Sequence, residues 1–388
     1  MKAEPLWTRN FIIIIIANLL FFLSFQMVVP ILPLYIESLG GSSAMVGLIV
    51  ACGTVGGVLA RPFAGRLTDS WGRLPVYFIG LTLCALAIFI YPFCTALIVL
   101  LLVRFMHGLC MGTATTGNST IATDLLPRSR LNEGIGYFGM ASTLALTVAP
   151  ALALYMITVV DYGSVFRVAF GISVLTVVLS LLLLVKPPPS IPVNTNREAL
   201  YEKSALLPAL LLAFQSCSYA SIATYLALYG VSLAISNIGL YFSVYAVTIV
   251  VCRLFVGRIA DRRGYHVVMI PALIAGPLSF VFLAWGQQLG TLLISAVLMG
   301  ISFGISFPTL MAMAVRDVAP QRRGAANGTV MSGFDLGFGL GAMVWGMVAQ
   351  WLGYSAMYLL NLPFLALSLI IYLWWLRSAR NAGRHRSA

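Results

Sequence analysis

Hydrophobic residues in this chain come in long unbroken runs, not in alternation. Twelve runs can be marked, at about 11–36, 45–65, 75–94, 96–122, 134–156, 165–185, 205–230, 236–257, 267–286, 290–314, 325–350 and 355–376. About 20 residues of helix cross a bilayer core, so each run predicts one membrane-crossing helix. Continuity of the runs excludes a β-barrel, whose strands alternate. The expected fold is therefore an all-α membrane protein of twelve transmembrane helices.

Basic residues between the runs set the orientation. With the N-terminus inside, Lys2, Arg9, Arg61, Arg66, Arg73, Arg128 and Arg130 all fall on the inner side. So do Lys186, Arg197, Lys203, Arg253, Arg258, Arg262, Arg263, Arg316, Arg322, Arg323 and the tail arginines 377, 380, 384 and 386. Of 23 basic residues only Arg104 and Arg167 stand elsewhere, which leaves 21 inside. Both termini are expected in the cytoplasm. The longest polar stretch, beginning KPPPSIPVNTNRE at Lys186, lies at the midpoint of the chain. Proline and charge stop a helix there. It divides a six-helix bundle at 1–186 from a second at 205–376, with a linker at 187–204 and a basic tail at 377–388.

The halves repeat each other. At an offset of 192, Arg61, Phe63, Gly65, Arg66, Asp69 and Gly72 match Arg253, Phe255, Gly257, Arg258, Asp261 and Gly264. Gly108, Gly112 and Gly136 match Gly300, Gly304 and Gly328. Both copies of the charged segment follow the second helix of their half, on the same side. The bundles are thus expected to be related by a parallel pseudo-two-fold repeat with its axis along the membrane normal.

Composition agrees: 60% of the 388 residues are hydrophobic and 9% charged. Soluble domains carry about a quarter charged residues, so a soluble enzyme, a disordered chain and a disulfide scaffold are excluded. The net charge of +12 is spread through the connecting segments, which argues for topology and against nucleic acid. The six cysteines sit inside apolar runs without a C-x-x-C pair and read as packing residues. Three histidines are too few and scattered for a metal site, and no phosphate loop or catalytic triad appears. No cofactor and no enzymatic activity are expected. The N-terminal apolar run is too long for a signal peptide and reads as the first span.

The segment GRLTDSWGR resembles the signature between helices 2 and 3 of the major facilitator superfamily, G-x-L-x-D-R-x-G-R. Gly65, Leu67, Asp69, Gly72 and Arg73 match it, and Ser70 stands where an arginine is usual. RFMHG, with Arg104 and Gly108, resembles that superfamily's helix-4 arginine motif. Ala149–Pro150 with Gly136 and Gly139 is a degenerate form of its helix-5 antiporter motif. NLLFFLSFQMVVPILPLYIESLGG and GTVMSGFDLGFGLG resemble the drug:proton antiporter-1-like branch, which includes multidrug, sugar-efflux-like and staphylopine-type metallophore exporters. The resemblance implies a central cavity lined by helices 1, 2, 4, 5, 7, 8, 10 and 11.

Charge inside a span costs about 2.5–3.5 kcal/mol on insertion scales and marks function by default. Asp335, near the middle of the eleventh run, is the candidate proton carrier. It shares a face with Gly328, Ser332, Gly339, Ala342 and Gly346, so either a cavity or a packed neighbour faces it. Arg104, His107, Met111, Thr115 and Asn118 form one face of the fourth helix, read as cavity lining, with His107 a second proton-coupling candidate. Gln215, Tyr219 and Tyr225 on the seventh helix, Tyr245 on the eighth, and Asn18 and Gln26 on the first complete the candidate cavity. Tyr229 reads as an interfacial belt residue. Gln26 stands where an acid is common in such antiporters, so coupling would rest on Asp335.

The repeated charged segments suit conformational gating. The candidates are Gly65, Asp69, Gly72, Arg73 and Asp124 in the first half, with Asp124 able to pair with Arg73, and Gly257, Asp261 and Gly264 in the second. Gly65 and Gly72 are read as permitting tight turns and close backbone approach. The resemblance implies that Asp69 faces the N-terminus of helix 11 and latches the halves.

Together these features point to a secondary transporter working by alternating access: a proton-coupled exporter of a small amphipathic or zwitterionic molecule. Alternatives are an opine-type metallophore exporter and a proton-coupled uptake symporter for a sugar or organic acid. The expected partners are the lipid bilayer, protons and the substrate. The chain is expected to act as a monomer in a bacterial inner membrane.

Overall fold

Backbone polar groups find no water in a bilayer, so each apolar run satisfies them internally as helix. The computed structural model describes residues 5–127, 131–184, 202–316, 318 and 323–386. Ten helices come in order: α1 (Arg9–Ser38), α2 (Ser43–Ser70), α3 (Arg73–Ile90), α4 (Leu97–Asp124), α5 (Leu131–Met156), α6 (Tyr162–Ser180), α7 (Leu206–Ser232), α8 (Leu240–Arg263), α9 (Tyr265–Trp285) and α10 (Leu289–Arg316). A last helical stretch, Arg323–Arg386, breaks at Gly353, where φ is 82° and ψ 168°. We call its arms α11 (323–352) and α12 (354–386).

Ten stretches among the described residues are long and apolar enough to span a membrane. One of them, Ala326–Ser378, has 53 residues. At 1.5 Å per residue that is about 80 Å, far more than a ~30 Å core, so it crosses twice with its turn at Gly353. Leu240–Arg253 in α8 is a shorter apolar stretch, which completes twelve crossings. The expected linker falls largely on 185–201, outside the described residues.

Local chemistry sets the helix starts. The Thr8 hydroxyl accepts from Phe11 N–H and the Ser42 hydroxyl from Met45 N–H, as N-caps do. Polar residues do not end α2 or α8. Both helices run on through the charged repeat and stop only where glycine supplies a positive φ: 98° at Gly72 and 87° at Gly264. These two glycines are 192 residues apart, so the turn repeats with the sequence.

The chain forms two compact units. The first comprises Met1–Asn196 and Asn237–Ala246, the second Arg197–Ser236 and Val247–Ala388. The start of α8 joins the first unit because Gly239 lies against α5, where a Cβ would stand 3.3 Å from the Ala151 Cα. Within the first unit α1 packs on α5 and α6, α2 on α4, and α3 on α4 and α6. Within the second, α7 packs on the last helical stretch and on α10, while α9 packs on α10 and the same stretch.

Lipid supplies little hydrophobic drive between helices, so close contact depends on small residues. A Cβ at Gly108 would fall on the Gly53 carbonyl, and one at Gly112 on the Gly57 carbonyl and beside Ala60. In the second unit a Cβ at Gly304 would stand 3.1 Å from Ile249 and 3.5 Å from Cys252. Gly112, Gly57 and Ala60 become Gly304, Ile249 and Cys252 at the 192-residue offset, so each unit builds the same seam. The six cysteines are free and four are buried.

Candidate functional site

Arg104 lies two turns into α4 and is only 7% exposed. Gly53 on α2 makes room for it: a Cβ there would stand 2.6 Å from Arg104 Nε. The guanidinium carbon sits 5.6 Å from the centre of the Phe25 ring on α1, a cation–π distance. Tyr91, just beyond α3, hydrogen-bonds the same group. Arg104 Nε has no hydrogen-bond partner, and among the described residues no carboxylate pairs with Arg104. A buried cation without its counter-charge is costly. This is the feature of the first unit that most resembles a waiting site.

His107 is 1% exposed. Its Nδ1 lies 2.9 Å from the Tyr91 hydroxyl, and its ring meets Phe25 and Tyr91 edge-on. The expectation of a proton relay meets a side chain already engaged as a buried hydrogen-bonded neighbour, next to a cation. The sequence places Arg104 and His107 on one face but does not single out Tyr91, which lies inside the third run and just past the end of α3.

Further along the α4 stripe, Asn118 Nδ2 donates to Asn18 Oδ1 at 2.7 Å, and Asn18 Nδ2 donates to the Phe138 carbonyl at 3.0 Å. Both asparagines are 1% exposed. They clamp α4 to α1 and α1 to α5, a structural link in place of the expected cavity lining. Thr115 is half-buried and its hydroxyl bonds back to the Met111 carbonyl at 2.8 Å. Gln26 on α1 is also half-buried.

In the second unit, Gln215 on α7 is 2% exposed and neither end of its amide has a partner. Ser218, one turn on, also has an unpartnered hydroxyl. Tyr219 stacks on Phe303 of α10 with ring centres 5.2 Å apart. Phe303, Phe307, Phe334 and Phe338 continue a chain of ring contacts from α10 to α11. Asp335 is half-buried between Phe334 and Phe338 in sequence.

The α7-facing side of α11 is a different face. A Cβ at Gly333, Gly337 or Gly341 would fall on the carbonyls of Ala209, Ala213 and Cys217 respectively. Asp335 is two residues from Gly333 and from Gly337, so it projects about 160° around the helix from that seam. Of the strip expected from the sequence, Gly328 has nothing packed against it within 4 Å of a Cβ, whereas Ala342 meets α7 through its carbonyl. The packing stripe was legible as glycine at every fourth position but was not singled out.

Two tyrosines differ from expectation. Tyr225 is fully buried and donates to the Ala342 carbonyl at 2.6 Å, so it ties α7 to α11 instead of lining a cavity. Tyr229 is 2% exposed and donates to the Leu283 carbonyl at 3.2 Å, which removes it from an interfacial belt. Tyr245 is 1% exposed.

Among the gating candidates, Arg73 Nε lies 2.5 Å from Asp124 Oδ2 and joins the start of α3 to the end of α4. Gly72 and Gly264 form the turns described above. Gly65 does not: it lies inside α2, and no heavy atom stands within 4 Å of a Cβ there. The surroundings of Asp69, Gly257 and Asp261 lie outside the described residues. Among those described, no group of three or more His, Cys, Asp or Glu could hold a metal ion.

The family described as Major Facilitator Superfamily matches residues 14–237 and 209–388. Staphylopine export protein of Staphylococcus aureus is 24% identical over 378 residues, covering 93% of this chain and 94% of that protein. Multidrug resistance protein MdtG of Enterobacter lignolyticus is 26% identical over 381 residues, covering 92% and 89%. Among solved structures, nucleoside transporter NupG superposes with a TM-score of 0.74 at 16% identity, covering 94% of this chain and 98% of that one. A bacterial homologue of the human lysosomal transporter Spinster, inward-facing and occupied, gives 0.76 at 15% identity, covering 97% and 98%. These structural likenesses concern the fold.

Proposed function

The chain belongs to the Major Facilitator Superfamily, and from that premise we propose that this integral membrane transporter is a proton-coupled exporter of a small amphipathic or zwitterionic molecule. Arg104 carries the reading. Its buried guanidinium has no carboxylate partner among the described residues, and an anionic group on the substrate would supply one. A site whose charge is completed only by its cargo binds by charge-assisted hydrogen bonds, the stronger kind. The half-buried Phe25 gives the same site apolar surface for the rest of the molecule.

Asp335 is the proposed proton carrier. It projects away from the α7–α11 seam and sits next to a run of aromatic rings, where a carboxylate can exchange a proton for other interactions as its surroundings change. Export is favoured over uptake because Staphylopine export protein and MdtG align along nearly the whole chain. The basic-residue bias supports cytoplasmic termini, and a bacterial inner membrane is part of the proposal. The test is transport into inverted membrane vesicles with and without a pH gradient. Wild type should lose accumulation when an ionophore collapses the gradient, and Asp335→Asn should be insensitive to it. Unaltered gradient-driven transport by Asp335→Asn would remove Asp335 from coupling.

A second reading is a metallophore exporter, favoured by the alignment with Staphylopine export protein over 93% of this chain. An amino-carboxylate chelator would present to Arg104 the anionic group it lacks. Export of such a chelator by wild type but not by Arg104→Met would select this reading.

A further inference from the structure

A cavity of about 450 Å³ opens in the first unit where α3 ends and α6 begins, away from Arg104 in the sequence. Its wall is aromatic: Tyr35, Phe89, Phe93, Tyr162, Phe166 and Phe170 all line it. The rings support one another, with Phe89 5.3 Å from Phe93 and 5.1 Å from Phe170. The Tyr35 hydroxyl is engaged below, donating to the Cys94 carbonyl at 3.1 Å.

Two opposite charges stand at the mouth. Arg167 and Asp161 are 3.6 Å apart, and their side chains are 68% and 67% exposed. Ser164 sits between them: its hydroxyl donates to Asp161 Oδ1 and accepts from Arg167 Nη2 at 2.7 Å. Gly163 keeps the mouth open, since a Cβ there would stand 2.7 Å from Asp161 Oδ2.

The cavity lies at the ends of two membrane-spanning helices, the level of lipid headgroups. From it, apolar side chains continue along the exposed faces of both helices: Leu86, Leu83 and Ile79 on α3, and Val174, Leu175 and Val178 on α6. We propose that this cavity is a binding site for a zwitterionic phospholipid, with the headgroup phosphate at Arg167, its ammonium group at Asp161 and its acyl chains along α3 and α6. Charge complementarity selects the occupant. An anionic headgroup would gain Arg167 but meet Asp161. A zwitterionic one answers both, and the aromatic wall also suits an ammonium group. The site is separate from the transport reading and stands or falls without it.

The experiment is native mass spectrometry of the full-length protein in nanodiscs. These hold equal parts of phosphatidylethanolamine, phosphatidylcholine and phosphatidylglycerol with matched acyl chains. Wild type should retain the zwitterionic lipids over phosphatidylglycerol by roughly two- to fivefold, the range one exposed ion pair supplies. Arg167→Ala should lower retention of all three lipids, each of which presents a phosphate, and leave the discrimination against phosphatidylglycerol, which Asp161 supplies. Asp161→Asn, which keeps a good helix N-cap, should shift the preference toward phosphatidylglycerol. Phe170→Ala should lower total retention without changing selectivity. Lipids retained in proportion to their supply by wild type and Asp161→Asn alike would overturn the proposal. So would a wild-type preference for phosphatidylglycerol.

Discussion

Replacing Arg104 by methionine should strengthen the empty protein and cripple its transport. The guanidinium is 7% exposed, its Nε has no partner, and no described carboxylate neutralises it. Exchanging buried charge for apolar side chains of similar volume is often neutral or stabilising by about 1–4 kcal/mol. Methionine fills the space beside Phe25 and Gly53 without the charge, so the substrate-free variant should melt at or above the wild-type temperature. Transport runs the other way. A hydrogen bond to a charged group contributes about 1.5–3 kcal/mol. At 1.4 kcal/mol per decade, its loss should raise KM roughly 10- to 140-fold for an anionic substrate. Melting followed by fluorescence-detected size exclusion, with and without substrate, reads both effects. Substrate should raise the wild-type Tm by linkage and leave the variant unmoved. A variant that melts lower than wild type yet transports normally would refute the reasoning, because Arg104 would then be a structural residue with a hidden partner.

Two glycines of the same half should respond oppositely to alanine. Gly108→Ala drives a methyl onto the Gly53 carbonyl and should destabilise by about 1–3 kcal/mol, read as lower folded yield and Tm. Gly65→Ala meets nothing within 4 Å inside α2 and should gain roughly 0.8–1.0 kcal/mol of helix propensity. The Arg73–Asp124 pair has side chains 16% and 35% exposed, so Asp124→Asn should alter stability by about 1 kcal/mol or less, and any larger effect on turnover would support a gating role. The Ser164 hydroxyl first, then Arg167, hold the Asp161 carboxyl below its usual range. A depressed folded value means the stabilisation is present above the unfolded pKa and is lost as pH falls through the folded one. Lipid preference should therefore persist from neutral pH through the ordinary carboxylate range and fade only below it; loss at pH 6 would contradict this.

Most crossings were legible because a bilayer demands about 20 apolar residues and forbids irregular backbone. Their ends were less so. The runs at 45–65 and 236–257 stop short of Arg66 and Arg258, yet α2 and α8 continue to Ser70 and Arg263. Polarity ends a membrane run, whereas a helix ends where backbone conformation changes, and that signal lay in Gly72 and Gly264. Periodicity also identified polar faces without identifying partners. Asn118 and Arg104 share a face of α4, yet Asn118 finds Asn18 on α1 while Arg104 finds no acid. Only the fold decides which polar residue finds a partner. Tyr225 shows the same limit: its depth in α7 was evident, but not that the Ala342 carbonyl lay within 2.6 Å of its hydroxyl. The glycine series at 333, 337 and 341 carries a readable packing signal, on the face opposite Asp335.

The most direct test of the central claim is untargeted mass spectrometry of medium and cytosol from cells expressing wild type, Arg104→Met or Asp335→Asn. The account predicts a compound with an anionic group that is enriched in the medium with wild type alone. A compound drawn out of the medium by wild type would contradict export, and an exported compound that both variants release equally would contradict the assigned roles of Arg104 and Asp335.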